Sequence, residues 1–469
     1  MNGTEIQFNN RQLRLLEDYW DFAQVEPVRM NKVLVEGQIT ENNITEIEQP
    51  ILLERIADPR NLLIAFKHVK ANKGACGIDQ MNIEEAEAWL LYHVDDLSRK
   101  IVAGKYKPQA VRRVEIPKDN GTMRKLGIPT VIDRVVQQSI AQVLEPIYEP
   151  QFVETSYGFR PNKSAHDALL KCQEYLNEGS VWAVDMDLEK FFDTVNHSKL
   201  IQVLSETIID GRVIGLIHKY LNAGVMIGGI WGQTDEGVPQ GGPLSPLLAN
   251  ILLNDLDHFL EGRGHKFVRY ADDMVIFKNS RSAANRVMKS TIDFIENKLY
   301  LKVNQEKTEV VYANKIKFLG YGFYKSKDGF NLRVHPKSKK KMKAKVREIT
   351  HRSNFKGYES LKKELMLFIR GWVNYYRLAK MSRFLHEIDA WMRRRIRKLY
   401  WIHWKRVRTR YRELRKLGLS HQKAYEYACT RKKSWRVAGS FILDTTLTNK
   451  ELEDRGYIMF SSYYQQVTM

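Results

Sequence analysis

Two adjacent aspartates, Asp272 and Asp273, interrupt an otherwise apolar run from His265 to Lys278, HKFVRYADDMVIFK, and nothing else in the chain restricts its fold so much. Phe267, Val268 and Tyr270 lead into the acids; Met274, Val275, Ile276 and Phe277 follow them. β-Branched and aromatic residues on both sides of a short acidic tip predict two strands joined as a hairpin, with the aspartates at the turn. Asp is a common turn former, so this pair acquires chemical meaning only if a third carboxylate is brought beside it.

A candidate for that third acid lies in Val181 to Asn196, VWAVDMDLEKFFDTVN. If Val181 to Asp187 is extended, Asp185 and Asp187 share one face with Ala183, while Trp182, Val184 and Met186 take the other. An ionised carboxylate is costly to bury without a cation or donors. Asp187 falls at the strand end, within reach of a metal, whereas Asp185 sits one pair deeper and reads as structural. Between these pieces, Gly237 to Leu256 opens with a loop of two prolines and three glycines, GVPQGGP, and enters an apolar helix after Ser245-Pro246. Such a loop brings backbone close to a planar ligand and holds Gln240 near it, although it also reads as an ordinary turn before a core helix.

The 469 residues carry a formal charge of +20, which points to a polyanionic partner, nucleic acid first. Between Arg333 and Arg436 there are 33 Lys and Arg against 7 Asp and Glu, so the remainder is slightly acidic. That split suggests a nucleic-acid grip attached to a catalytic body. Cys76, Cys172 and Cys429 are too scattered for a disulfide framework or a zinc site, and a reducing, intracellular compartment is expected. No apolar run reaches the roughly 18 residues of a membrane span, and Met1 to Asn10 has no signal-peptide core. A soluble protein without a membrane partner follows as the expectation.

Ahead of these motifs, Leu13 to Phe22 predicts one short helix within an N-terminal stretch of about fifty residues that is otherwise uninformative. Helical spacing predicts helices over Pro59 to Asn72, Ile83 to Ile101 and Asp133 to Leu144. Tyr106 to Ile128 reads as a ribbon around the turn DNGT, carrying Arg112, Lys118, Arg124 and Lys125. A flexible cationic ribbon ahead of an acidic site suits closure on a triphosphate, though basic residues on a hairpin are commonly just solvated. In SYGFRPNKSAHDAL, Arg160 stands at a turn where it would either clamp a phosphate or cap its own loop.

In this order the motifs resemble the palm of a reverse transcriptase. VDMDLEKFFD is similar to motif A, VPQGGPLSP to motif B, YADD to motif C, LKVNQEKTEVV to motif D, and KFLGYGF to the primer-grip hairpin. YGFRPNKSAHDA and IPK…RKLGIP resemble the finger motifs of the proteins encoded by group II introns, and RGWVNYYR, Arg370 to Arg377, resembles their maturase signature. The resemblance spans roughly residues 60 to 469 and implies an α+β right-hand polymerase with an antiparallel palm sheet, then an α-helical thumb and maturase domain, then a small DNA-binding region. The implied divisions are 1–58 as an N-terminal extension, 59–180 fingers, 181–330 palm, 331–408 thumb and maturase, and 409–469 DNA binding.

The implied chemistry is extension of a DNA primer on RNA with two Mg²⁺ ions, about 3.5–4 Å apart, neutralising the entering and leaving oxygens. Asp187, Asp272 and Asp273 would hold the ions, with the backbone carbonyl of Leu188 as a further ligand. Lys118 and Arg124 would meet the triphosphate and Gln240 would line the nucleotide pocket. Phe192 would disfavour a 2′-hydroxyl, with Phe191 as the alternative gate, and Lys307 would act near the leaving pyrophosphate. KSKKKMKAKVREI, with Lys339, Lys340 and Lys341, and Leu361 to Lys380, with Arg370 and Arg377, look like thumb helices. Leu365, Phe368, Ile369, Trp372, Tyr375 and Tyr376 read as a core stripe. From Ser382 to Trp404 a second helix packs on Leu385, Ile388, Trp391, Met392 and Leu399, while Arg393, Arg394, Arg395, Arg397 and Lys398 are expected to project toward RNA. Arg431, Lys432, Lys433, Trp435 and Arg436 mark the DNA-binding tail of the family.

Many relatives end in a Cys- and His-bearing HNH-type endonuclease, whereas here only Cys429 lies beyond residue 172. A group IIC-like chain without second-strand cleavage is therefore expected. The resemblance implies intron RNA, target DNA and deoxynucleotides as partners, and a bacterial ribonucleoprotein that both helps its intron splice and copies it. Two alternatives stay open at this point: a splicing maturase whose polymerase is dispensable, and a domesticated relative in defence or repair.

Overall fold

The second acidic segment forms a central strand. In the computed structural model, β3 (Trp182–Met186) lies between β7 (Asp273–Lys278) and β8 (Glu309–Tyr312), and β6 (Lys266–Tyr270) closes the far side. The structure describes residues 51–117, 123–227, 230–232 and 236–468. The expected helix at Leu13 to Phe22 and the turn DNGT lie outside these residues.

Both strand pairs flanking β7 are antiparallel, with Met186 opposite Met274 on one side and Tyr270 opposite Asp273 on the other. Ala183, Val184, Met186 and the whole run Met274 to Phe277 are buried. Burying one such aliphatic or aromatic side chain contributes about 1.5–3 kcal/mol, so these two strands form a rigid base for the acidic turn. The helix Arg281–Lys298 packs on β3 and β7, and the helix Ser245–Glu261 packs on β6.

The chain divides into two compact units. Among the described residues, one comprises those within 51–172 and 180–310; the other comprises 173–179 and 311–468. In the first, the helix Pro59–Ala71 starts where the sequence predicts, with the Asp58 carboxylate accepting from Arg60 N at 2.7 Å and proline at the first helical position. Asn82 and Glu85 form a reciprocal capping box at the start of Ile83–Val102. The predicted third helix is longer, Val131–Tyr148, because Thr130 caps it so that it starts two residues early, and Ile147 and Tyr148 continue its buried face. The ribbon forms β1 (Val111–Pro117) and β2 (Met123–Ile128), which pair antiparallel. β1 also runs parallel to β4 (Val225–Ile227), which pairs in turn with β5 (Ile230–Gly232).

The second unit begins its long helical stretch after a hairpin, β9 (Tyr321–Ser326) and β10 (Gly329–Val334). Its helices include Pro336–Ile349, Tyr358–Tyr376 and Ser382–His403. Leu365, Ile369 and Val373 form the buried face of Tyr358–Tyr376, while Tyr375 of the expected stripe is exposed and donates its hydroxyl to Leu319 O at 2.9 Å. Buried Asp389 accepts from Phe460 N at 2.8 Å and Ser461 N at 2.9 Å, which anchors the helix Phe460–Thr468 by its N-terminus. Among the described residues no helix is long and apolar enough to cross a membrane.

Candidate active site and nucleic-acid interface

Register brings the acids together. Met186 pairs with Met274, so the next position on each strand is Asp187 on one side and Asp273 on the other. Asp272 precedes Asp273 in the turn between β6 and β7, as predicted. Asp187 and Asp272 are half-buried and Asp273 is exposed. The segment after Leu301 runs alongside Asp187 and engages it three times. Asp187 N donates to Thr308 Oγ1 at 3.2 Å, Asn304 N donates to Asp187 O at 2.9 Å, and Lys307 Nζ donates to the Asp187 carboxylate at 2.9 Å. Neither Asn304 nor Thr308 stood out in the sequence. Leu188 is buried and bridges to Val303, with Glu189 N donating to Lys302 O at 2.8 Å.

Among the described residues, no three His, Cys, Asp or Glu side chains converge tightly enough to form a metal cage. The acids instead line one open end of a sheet. Mg²⁺ is typically held by one or two carboxylates together with water and substrate phosphates rather than by an all-protein cage, and this donor set fits that requirement. The ammonium of Lys307 already serves Asp187 as a cationic partner.

The loop before Ser245 is stitched to the segment after β3. Gly237 N donates to Val195 O at 2.8 Å and Val238 N donates to Phe192 O at 2.7 Å. Gly241, at φ +126°, places its Cα where a Cβ would meet Gly127 O at 2.6 Å, and Gly127 N donates to Gln240 O at 2.9 Å. Only glycine allows that conformation and approach. The result is a cleft of about 590 Å³ lined by Phe192, Gln240 and Gly241 together with Asn72, Arg134 and Phe159. Phe192 is half-buried and meets the buried Phe191 edge-on at 5.1 Å, which makes Phe192 the one of the two that borders the cleft. Arg134, missed in the sequence, donates to Ala75 O at 2.6 Å. Lys118 lies outside the described residues; Arg124 pairs through its backbone with Ile116 on β1.

Several arginines expected at the nucleic-acid surface have other employment. Arg160 does not clamp a phosphate: its side chain is buried, donates to Glu149 and to the carbonyls of Val153 and Ser156 at 2.6 and 2.8 Å, and caps its own loop. Arg397 does not project. It is buried and donates to Leu447 O, Asp444 and Asn449 at 2.7, 2.8 and 3.1 Å. Arg393, Arg394, Arg395 and Lys398 are half-buried rather than projecting. Arg394 lies over the Trp435 ring at 4.2 Å and Arg395 donates to Thr350 Oγ1 at 2.6 Å. Arg112 is half-buried and donates to Cys76 O at 2.8 Å. These guanidiniums join distant segments because each offers five donors in a rigid fork. Lys339 lies over the Phe384 ring at 4.3 Å, and burial pulls its ammonium below the usual lysine range. Lys340, Lys341, Arg370, Arg377, Lys432, Lys433 and Arg436 are exposed.

Residues 116–323 match the family described as reverse transcriptase (RNA-dependent DNA polymerase), and residues 339–418 match the group II intron maturase-specific domain. Protein YkfC of Escherichia coli is 34% identical over 311 residues, covering 58% of this chain and 82% of that protein. The putative COX1/OXI3 intron 2 protein of Saccharomyces cerevisiae is 29% identical over 72% of this chain and 50% of its own length. The group II intron-encoded protein LtrA of Lactococcus lactis subsp. cremoris is 30% identical over 61% of this chain and 58% of its own. The chain thus spans most of the first relative and about half of the other two.

Proposed function

We infer the chemistry from the family: the chain belongs to the group II intron-encoded reverse transcriptases that carry a maturase domain. In this reading it extends a DNA primer on intron RNA at a DNA target, and binds the same RNA to assist splicing. The observation that carries the proposal is the register of β3 on β7, which sets Asp187 next to the Asp272–Asp273 turn.

Asp187, Asp272, Asp273 and the Leu188 carbonyl are the groups that would hold Mg²⁺, which when bound neutralises charge on the attacking and leaving oxygens. The chain's own work is positioning. Phe192 packs against the sugar where a 2′-hydroxyl would stand and selects deoxynucleotides, while Gln240 borders the same nucleotide. Lys118 and Arg124 neutralise the incoming triphosphate. Lys307 is long and exposed, so its ammonium can leave Asp187 for the departing pyrophosphate. Exposed lysines and arginines of the helical unit contact the RNA backbone, and the exposed cluster Lys432, Lys433 and Arg436 contacts DNA. Residues 59–180 are read as fingers, 181–330 as palm, 331–408 as thumb and maturase, and 409–469 as the DNA-binding region.

Primer extension on an RNA template tests this directly. Asp272→Asn is expected to lose at least about 10²–10³-fold in rate while binding intron RNA as wild type does. Unimpaired extension by this variant refutes the polymerase assignment. Loss of RNA binding together with extension refutes the separation of the two roles.

A further inference from the structure

Beneath the acidic turn lies a buried polar cluster that the chemistry above does not use. Arg269 sits on β6, two residues before Ala271, and it, Asp257 and Asn250 are each no more than 1% exposed. Arg269 Nε donates to both Asp257 oxygens at 2.8 and 2.9 Å, and Nη2 donates to Asp257 Oδ2 at 2.5 Å. Its Nη1 donates to Asn250 Oδ1 at 2.9 Å and, reaching toward the turn, to Ala271 O at 3.0 Å. Asn250 and Asp257 stand seven residues apart, two turns along one face of the helix Ser245–Glu261.

The turn is braced from a second direction. Arg269 N donates to Thr155 O at 3.0 Å, Tyr157 N donates to Arg269 O at 2.9 Å, and Asn250 Nδ2 donates to Gly158 O at 2.8 Å. A Cβ on Gly158 would stand 2.2 Å from Ala271 N, so the two backbones are in direct contact. Ala271 itself adopts φ +57°, a left-handed conformation that an alanine takes only when its surroundings impose it.

A buried ion pair is generally no more stabilising than two apolar residues of the same volume, so stability alone does not account for a guanidinium here. What an apolar pair would lack is the donor on Ala271 O. We propose that Arg269 is a positioning residue: clamped by Asp257 and Asn250, it holds Ala271 in the left-handed conformation and thereby fixes where the Asp272 carboxylate is presented. This inference rests on the reading of the turn as part of a metal-dependent polymerase site.

Two variants of the full chain test it. Arg269→Lys keeps a charge beside Asp257 but lacks the fork that reaches Asn250 and Ala271 together. The double substitution Arg269→Met with Asp257→Leu removes both charges and keeps the volume apolar. Folding is checked by thermal melting, Mn²⁺ binding by electron paramagnetic resonance, and primer extension as a function of Mg²⁺ and deoxynucleotide. A folded variant is expected to bind Mn²⁺ about 10–100-fold more weakly and to lose kcat over the same range, with KM for the nucleotide changed less than about threefold. A folded variant with wild-type Mn²⁺ affinity and rate overturns the proposal. Should the wild-type chain extend no primer while the variants still lose Mn²⁺ affinity, the polymerase reading falls and the positioning role stands.

Discussion

Replacing Arg397 by Met separates an arginine that supports the fold from one that grips nucleic acid. In the basic run WMRRRIRKLY the sequence offers nothing to distinguish Arg397 from its neighbours, yet its side chain is buried against Leu447, Asp444 and Asn449. Methionine keeps the aliphatic stem and removes three donors. Leu447 is fully buried, so its carbonyl is left without its guanidinium donor, at a cost of about 1–3 kcal/mol. Asp444 is 53% exposed at the side chain, so water replaces most of what that ion pair contributes. The expected loss is about 2–3 kcal/mol, which for a unit of this size lowers the melting temperature by about 4–12 °C. Arg436→Met, at an exposed position, should change stability by less than about 0.5 kcal/mol. Nucleic-acid affinity measured across a salt series then reverses the order. Arg436→Met is expected to flatten the slope of log affinity against log salt by about 0.7–0.9, the value of one lost phosphate contact, while Arg397→Met leaves the slope unchanged below its melting temperature. An Arg397→Met protein that melts as wild type does but shows the flatter slope would refute the structural assignment.

Phe192→Ala should raise ribonucleotide incorporation relative to deoxynucleotide by about 10–100-fold, read from single-nucleotide extension; an unchanged ratio would transfer the gate to another residue. Asp210 supplies a pH prediction. Burial would raise its carboxyl, but the Arg212 guanidinium and the N–H groups of Arg212 and Leu53 overrule burial and hold it below the usual range. A depressed value in the folded state means that stabilisation is complete above the unfolded value near about 3.9 and is lost as pH falls through the lower folded one. Denaturant melts of Asp210→Asn should therefore lie about 1 kcal/mol below wild type at pH 7 and converge with it once the pH falls below the folded-state value. A gap that stays constant down to that pH would contradict the shift.

How far the site is legible in the sequence depends on which interactions are local. The hairpin at Asp272, the strand ending at Asp187 and the proline-glycine loop are written in periodicity and turn chemistry, and each forms within a residue or two of its predicted bounds. A guanidinium's partner need not be local. Arg397 is equivalent to a surface arginine until the chain brings Leu447, fifty residues on, to it, whereas Arg160 finds Ser156 within its own loop, one of the two readings its turn allows. Arg269 is the instructive case, because a signal was present. It is the one charged residue between Phe267 and Ala271, and Asp257 is an acid set within the apolar helix run SPLLANILLNDLDHFL. A charge on a face that must be buried requires a compensating charge on another such face, since leaving either alone in the core is prohibitively costly. Two opposite, otherwise unexplained charges on elements that flank the acidic turn therefore imply each other. That implication leads from the hairpin alone to the cluster that holds its turn in place.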